Sequence, residues 1–179
     1  MNERYDGIAM LLHWSIAVLI AVTFLLGLTV DDFPKAYEDA VVNTHVLVGL
    51  AILVLTLVRI GWRIVHRPPP LPQTITPLSR VASKVGHGLM YLLMLVVPVI
   101  GIPTLLYRGR GIDFGLFAMP PLVQRTPEIF RPLTELHEIA SYALVLLALG
   151  HIAAAFYHQA IAHDGLIQRM MPKGSRKTA

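Results

Sequence analysis

Long apolar stretches, interrupted mainly by isolated polar residues, dominate the chain. Four of them carry no Asp, Glu, Lys or Arg, over residues 8–30, 41–58, 85–107 and 139–162. A helix that crosses the hydrocarbon core of a bilayer needs about 20 predominantly apolar residues. The pattern therefore predicts an all-α membrane protein, a four-transmembrane-helix bundle. With their polar ends included, we expect the helices at about 8–30, 40–65, 80–107 and 132–162 of a single domain, residues 1–179.

Prolines and charged residues mark the connections between these helices. The first connection contains Asp31 and Pro34, and the second is the proline-rich segment 66–77. Proline cannot continue a helix, so segment 66–77 is expected to be a stiff surface linker. The longest connection is expected over residues 112–131, with its apolar segments 114–117 and 119–121 at the membrane interface. Pro132 is expected in the first turn of the fourth helix, where proline is tolerated.

The first apolar stretch is interpreted as a helix of the mature protein rather than a signal peptide. Its length exceeds that of a typical signal-peptide core, and it follows the acidic residues Glu3 and Asp6. No small-residue cleavage site follows it.

Composition supports a membrane protein and excludes several other classes. The chain is 55% hydrophobic and 15% charged, with a mean hydropathy of +0.61, whereas soluble domains are about 25% charged. These values exclude an ordinary soluble domain and a disordered chain. The absence of cysteine excludes disulfides, thiolate-held iron–sulfur clusters and zinc sites built on cysteine.

The basic residues are distributed unequally between the two sides of the predicted bundle. Ten Lys and Arg residues lie on the side of the two termini and five on the other, while eight acidic residues lie on that other side and three on the terminal side. Because cytoplasmic loops carry an excess of Lys and Arg, both termini are expected in the cytoplasm. This bias also explains the net charge of +4 without nucleic acid as a partner.

Six of the eight histidines fall within the predicted helices, and ionisable residues at membrane depth usually have a function. They are His13, His45, His87, His137, His151 and His158. His66 and His163 fall in polar flanks and are interpreted as ordinary interfacial residues.

Depth along the helices groups the histidines into two levels. His45 and His137 lie at similar distances inside one end of the bundle, and His13 and His151 lie at a second level, near which His87 also falls. His137 and His151 are 14 residues apart, which is about 40° short of four full turns and about 21 Å along the axis. Facing imidazoles at two levels of a bundle indicate two stacked haems. Two axial imidazoles leave no open position on iron, which favours electron transfer.

Three other interpretations of the histidines remain open from the residues alone. Intramembrane histidines also form hydrogen bonds between helices, or a proton relay, although the four charge-free stretches offer no Asp or Glu to such a relay. A zinc site is the third alternative, but the pairs lie at different levels and lack a third ligand with the usual spacing. Depth alone does not decide between His13 and His87 as the partner of His151.

The residues around these histidines resemble the prokaryotic cytochrome b561 family, four-helix di-haem cytochromes of the bacterial inner membrane, over nearly the whole chain. The resemblance is carried by Leu12-His13-Trp14, Thr44-His45 to Gly49, Arg59 with Trp62-Arg63, Gly86-His87, Pro98 to Gly101, Leu136-His137-Glu138, Gly150-His151 with His158, and Arg169 to Pro172.

The resemblance implies two bis-histidine b haems as cofactors. It pairs His45 with His137 on the periplasmic side and His13 with His151 on the cytoplasmic side. It also implies an enzyme that takes electrons from superoxide and passes them to ubiquinone. The alternative is a cytochrome b subunit that carries electrons between a partner dehydrogenase or hydrogenase and the quinone pool.

Further residues acquire expected roles within this resemblance. Arg59 and Arg63 are expected to bind haem propionates, because arginine binds carboxylates bidentately. The expected quinone-binding and proton-handling residues are His87, His158, Arg80 and Ser83. A positive patch that steers superoxide is expected from Arg108, Arg110, Arg125 and Arg131. The alternative is that these arginines are ordinary solvated loop charges, because eight acidic residues lie on the same side.

Overall fold

The computed structural model describes residues 4–72 and 75–171. Four helices dominate it: α1 (Gly7–Thr29), α2 (Lys35–Val65), α3 (Pro77–Tyr107) and α4 (Pro127–Ala160). Short 3-10 helices follow α1 at Val30–Asp32 and close the described chain at Ile167–Met170, and two short strands, β1 (Ile112–Asp113) and β2 (Ala118–Met119), lie between α3 and α4. All four helices are long and apolar enough to cross a membrane. The predicted all-α four-helix membrane bundle is therefore confirmed.

Side chains at the helix starts satisfy backbone N–H groups that have no partner within the helix. The Asp6 carboxylate accepts a hydrogen bond from the backbone N–H of Ala9 at 2.9 Å. Thr76 does the same for Ser79 at 3.2 Å, and Pro77 follows it in the first turn of α3. The proline-rich linker therefore ends in a helix start rather than in a loop.

The expected position of Pro132 is wrong, because α4 begins five residues earlier, at Pro127. Pro127 takes the first-turn position, and the backbone N–H groups of Ile129 and Phe130 donate to the carbonyl of Thr126 at 3.1 Å. Phe130 is buried and packs this additional turn against the preceding loop. The helix continues through Pro132 even though that residue contributes no N–H to the helix.

The helices associate as two close pairs, α1 with α2 and α3 with α4, and α2 also packs against α3. Across the described chain, α4 makes few close backbone approaches to α1 or α2. A small core lies at mid-depth, where Ile16, Met94 and Leu144 are buried together. Leu144 is seven residues from both His137 and His151, so this apolar core separates the two histidine levels.

The two ends of the bundle are built differently. At one end, here called the terminal end, the segment after α4 folds back beneath the helices. The indole N–H of Trp14 donates to the Met170 carbonyl at 2.9 Å, and the backbone N–H of Tyr5 donates to the Arg169 carbonyl at 3.1 Å. At the opposite end, here called the hairpin end, β1 and β2 pair as an antiparallel hairpin, with Ile112 opposite Met119.

Candidate functional site

His45 and His137 face each other near the hairpin end, with ring centres 6.0 Å apart. The Nδ1 atom of His45 lies 2.9 Å from the carbonyl oxygen of Thr23, and Nδ1 of His137 lies 3.0 Å from that of Val97. A carbonyl oxygen only accepts, so Nδ1 carries the proton in both rings. Each Nε2 is therefore unprotonated in the neutral ring and available as a metal ligand. Histidines that bind metals usually donate their other ring N–H to an acceptor in this way.

The spacing of this pair fits an ion held between two imidazoles. A metal–imidazole bond is about 2.0 Å long. With each ring centre about 1.2 Å behind its nitrogen, two opposed ligands have ring centres about 6.4 Å apart. The observed 6.0 Å agrees with that value. Within residues 4–72 and 75–171, no cluster of three or more His, Asp or Glu side chains is arranged to hold a metal ion.

Two glycines to which the sequence analysis assigned no role at the histidines lie against these rings. A Cβ atom on Gly27 would lie 3.1 Å from Cε1 of His45, and one on Gly101 would lie 3.2 Å from Cε1 of His137. Each glycine comes four residues after the residue whose carbonyl accepts from the same ring, Thr23 or Val97. The shared spacing places the acceptor and the glycine one helical turn apart on one face, so the helix both orients the ring and leaves room for it.

Three histidines meet at the second level, near the terminal end. The ring centres of His13 and His151 are 6.2 Å apart, which matches two opposed ligands of one ion. His87 lies closer to His151, at 5.2 Å, which is shorter than that arrangement requires. The Nδ1 atom of His87 donates to the Ser83 carbonyl at 2.6 Å. Spacing therefore favours His13 over His87 as the partner of His151.

Arg59 and Arg63 converge on one tyrosine near the terminal end. The Nε of Arg59 donates to the Tyr91 hydroxyl at 2.9 Å, and the Arg63 guanidinium lies 5.8 Å from the centre of the same ring. Both arginines line a pocket with Tyr5 and Met170. In the part of the chain that the structure describes, neither arginine forms an ion pair with a carboxylate. Two unneutralised guanidinium groups on one pocket can bind an anionic group.

The four residues expected to bind quinone are only partly brought together. Ser83 and His87 are in contact through the hydrogen bond to the Ser83 carbonyl and a 3.2 Å contact between Oγ and Nδ1. His158 is instead bonded through Nδ1 to Asp164, whose side chain is buried. Arg80 is exposed, and its side chain forms no hydrogen bond or ion pair with the described residues.

The expected patch of four arginines at the hairpin end divides into paired and unpaired members. Arg110 forms ion pairs with Glu38 at 3.1 Å and Asp39 at 2.9 Å, so acidic side chains neutralise it. Arg108 and Arg125 lie against the ring of Phe130, at 5.4 and 5.6 Å.

Arg108 is the most constrained of these arginines. It donates to the Thr134 hydroxyl at 3.3 Å, and its buried Nε has no hydrogen-bond partner in the described structure. Burial, and then the neighbouring Arg110, lowers the pKa of the Arg108 guanidinium, although arginine remains charged at neutral pH. Positive charge at this end is thus concentrated on Arg108 and Arg125, with Arg131 exposed at the start of α4.

Membrane-crossing helices that bring histidines together at two levels, with ring centres 6.0 and 6.2 Å apart, are typical of membrane cytochromes. The sequence profile described as "Prokaryotic cytochrome b561" matches residues 4–173. The chain belongs to the prokaryotic cytochrome b561 family. Members of this family bind haem b and transfer electrons in bacterial membranes, which makes the chain a multi-pass membrane protein of that kind.

Curated relatives match the chain over nearly its whole length. "Cytochrome b562" of Cereibacter sphaeroides is 36% identical over 176 residues, 93% of this chain and 94% of the relative. "Probable superoxide oxidase CybB" of Yersinia pestis is 31% identical over 176 residues, 97% of this chain and 98% of the relative. "Cytochrome b561 homolog 2" of Escherichia coli is 29% identical over 178 residues, with 97% and 94% covered. The family interpretation of the sequence is therefore confirmed.

Proposed function

We propose that the protein is a superoxide:ubiquinone oxidoreductase that binds two b haems, one at each histidine level. In the overall reaction, two superoxide anions each lose one electron and become O2, while one ubiquinone gains two electrons and two protons and becomes ubiquinol. The observation that carries the proposal is the presence of two imidazole pairs, with ring centres 6.0 and 6.2 Å apart. One member of each pair, His137 or His151, comes from the same face of α4. The relative from Yersinia pestis that is named a superoxide oxidase supports the substrate.

His45 with His137 would hold one haem at the hairpin end, and His13 with His151 would hold the other at the terminal end. Haem b, when bound, supplies reversible one-electron chemistry. The chain's contribution is to fix ring orientation through the carbonyls of Thr23 and Val97. Two imidazoles held at each level would leave no iron position open to oxygen, so superoxide would give up its electron without binding to iron.

Arg59 and Arg63 are proposed to bind the propionates at the terminal-end level. Both arginines lie against Tyr91, and neither pairs with a carboxylate in the described structure. Two guanidinium groups are therefore free to bind the two propionates of a haem. Arginine binds carboxylates with paired hydrogen bonds, and the pocket beside them opens between α2, α3 and the returning tail.

Superoxide is proposed to approach at the hairpin end, near Arg108, Arg125 and Arg131. A local positive potential raises the encounter rate of a small anion. Arg110 is paired with two carboxylates of α2, so this cluster adds no net positive charge. The role proposed for Arg110 is to hold the loop against α2. The histidine pair nearest to this approach is His45 and His137.

Ubiquinone is proposed to bind at the terminal end beside Ser83 and His87, which are in contact. His158, which is bonded to Asp164, and the exposed Arg80 are proposed to act at the edge of this site. Since Nδ1 of His87 donates to the Ser83 carbonyl, its neutral Nε2 is an acceptor. His87 can therefore accept a hydrogen bond from a quinol hydroxyl but cannot donate one to a quinone carbonyl unless it is protonated. The His158–Asp164 pair offers an imidazole backed by a carboxylate, which suits it to deliver protons during quinone reduction.

The terminal end is proposed to face the cytoplasm of a bacterial inner membrane. The excess of Lys and Arg on that side supports this orientation. Superoxide would then be consumed on the periplasmic side and protons taken up from the cytoplasmic side.

The alternative function is an electron carrier that serves a partner dehydrogenase or hydrogenase. The names of two relatives describe them as cytochromes and mention no enzymatic activity. These names favour the alternative. An electron carrier would exchange electrons with quinone but would react slowly with superoxide.

The deciding experiment measures ubiquinol formation by the purified chain when an enzymatic source generates superoxide. The proposal expects rapid ubiquinol formation by the chain alone, and loss of that activity in His45→Ala. His163→Asn is the matched control, because His163 is exposed at the end of the bundle and asparagine accepts its backbone φ of 51°. If reduction requires an added dehydrogenase, the electron-carrier function is correct.

A further inference from the structure

The loop between α3 and α4 contains the longest apolar run outside the four helices. Residues 114–123 include no charged or hydrogen-bonding side chain. At the tip, Leu116 is 98% exposed and Phe117 is 64% exposed. Soluble surfaces rarely expose a contiguous patch of this kind, and such patches mark sites of contact. The feature to be explained is what covers this tip.

The tip is held in a defined conformation. Phe114 and Phe117 stack with ring centres 4.8 Å apart, and the backbone N–H of Phe114 donates to the Phe117 carbonyl at 2.9 Å. The turn between them is Gly115-Leu116, and Gly115 has a φ of +83°. A glycine with positive φ at the first position is typical of a tight two-residue hairpin turn. The turn therefore presents Leu116 at its apex.

Two sets of contacts attach the hairpin to α2 at the border between its charged and apolar parts. The Nδ2 of Asn43 donates to the Asp113 carbonyl at 2.8 Å, and the backbone N–H of Asp113 donates to Oδ1 of Asn43 at 2.9 Å. Arg110 pairs with Glu38 and Asp39. Asp39 is the last charged residue before the charge-free stretch 41–58. The hairpin thus lies at the level where α2 passes from water into the membrane.

We propose that residues 114–117 insert into the lipid interface at the hairpin end and anchor the loop there. The occupant of the patch is the lipid of that leaflet. Three properties of residues 114–117 support this assignment: they lie at the level where α2 passes from charged to apolar, they include two aromatic rings, and they carry no charge. Aromatic residues concentrate at membrane–water interfaces.

The anchor leaves the neighbouring histidine free. Asn43 and His45 are two residues apart, which is about 3 Å along the helix and about 200° around it. The hairpin therefore binds the side of α2 away from His45. Changes at the tip are expected to leave haem content unchanged.

The absence of cysteine allows a direct test by single-cysteine labelling of the full-length chain in lipid nanodiscs. Three variants are compared: Leu116→Cys at the tip, Leu146→Cys on the membrane face of α4, and Lys35→Cys at the hairpin end of α2. Leu146 is 72% exposed at mid-helix, and the Lys35 side chain is 89% exposed. Each variant reacts separately with a charged maleimide and with an apolar one, and labelling in denaturing detergent corrects for intrinsic reactivity.

The proposal expects Leu116→Cys to react slowly with the charged reagent and readily with the apolar one, as Leu146→Cys does, while Lys35→Cys reacts with both. Rapid reaction of Leu116→Cys with the charged reagent, equal to that of Lys35→Cys, would show that the tip lies in water and overturn the proposal. If Leu116→Cys reacts more slowly than Leu146→Cys with both reagents, the proposal is also overturned, because another protein surface would then cover the tip.

Discussion

Replacement of Gly101 by alanine tests the idea that the helix backbone shapes the space of the His137 ring. The new Cβ would lie 3.2 Å from Cε1 and 3.4 Å from Nδ1 of His137. Carbon atoms in optimal contact are about 3.5–4.0 Å apart, so the ring must retreat by a few tenths of an ångström. That movement strains the 3.0 Å hydrogen bond to the Val97 carbonyl.

The expected cost follows from two independent magnitudes. Overpacking of a well-packed site typically costs about 1–3 kcal/mol. Loss of the hydrogen bond that orients a ligating histidine typically lowers affinity by about 10–100-fold. Since a factor of ten corresponds to about 1.4 kcal/mol, the two values agree. Gly101→Ala should therefore bind haem at the hairpin-end level about 10–100-fold more weakly and leave the terminal-end level intact.

The assay combines haem content per chain with the optical spectrum of the reduced protein during haem titration. Gly61→Ala is the control, because a Cβ at residue 61 meets nothing within 4 Å and alanine favours helix over glycine. Gly27→Ala, beside His45, should reproduce the defect. If Gly101→Ala and Gly61→Ala both retain full haem content and the same spectrum, the proposed role of the glycine is refuted.

Three further predictions follow from the same geometry. His13→Ala should lose the terminal-end haem only, so that haem content falls by half; retention of both haems would reassign that ligand, with His87 as the candidate. Arg108→Ala should slow superoxide-dependent haem reduction at low ionic strength. Arg110→Gln combined with Glu38→Gln removes an ion pair without changing the net charge and should not slow it; stopped-flow absorbance compares the two variants, and equal effects would contradict the division of the patch. Asp164→Asn should slow ubiquinol formation and leave superoxide-dependent haem reduction unchanged, and unchanged steady-state turnover would exclude the His158–Asp164 pair from proton delivery.

The helices and the two histidine levels are predictable from the sequence because both depend on local rules. Charge-free stretches of the right length define the spans, and fixed rise and rotation per residue place His137 and His151 on one face. The start of α4 is less predictable, because Pro127 and Pro132 both satisfy the preference for a first-turn proline. In the structure the helix starts at Pro127, and the buried Phe130 belongs to the additional turn.

Other features depend on contacts between distant segments. Gly27 and Gly101 resemble ordinary helix-packing glycines in the sequence, and their role appears only when the rings of His45 and His137 lie against them. The sequence likewise does not show that Arg110 is paired with acidic residues of α2, about 70 residues away in the chain, while Arg108 is not. In the sequence, the four arginines form one patch.

The most direct test of the account is the number of haems bound by the purified chain and their axial ligation. Extraction of the cofactor should yield two haems b per chain, and spectra of the oxidised and reduced protein should show two low-spin centres with paired histidine ligands. A single haem, or a chain that binds none, would contradict the assignment of His13, His45, His137 and His151.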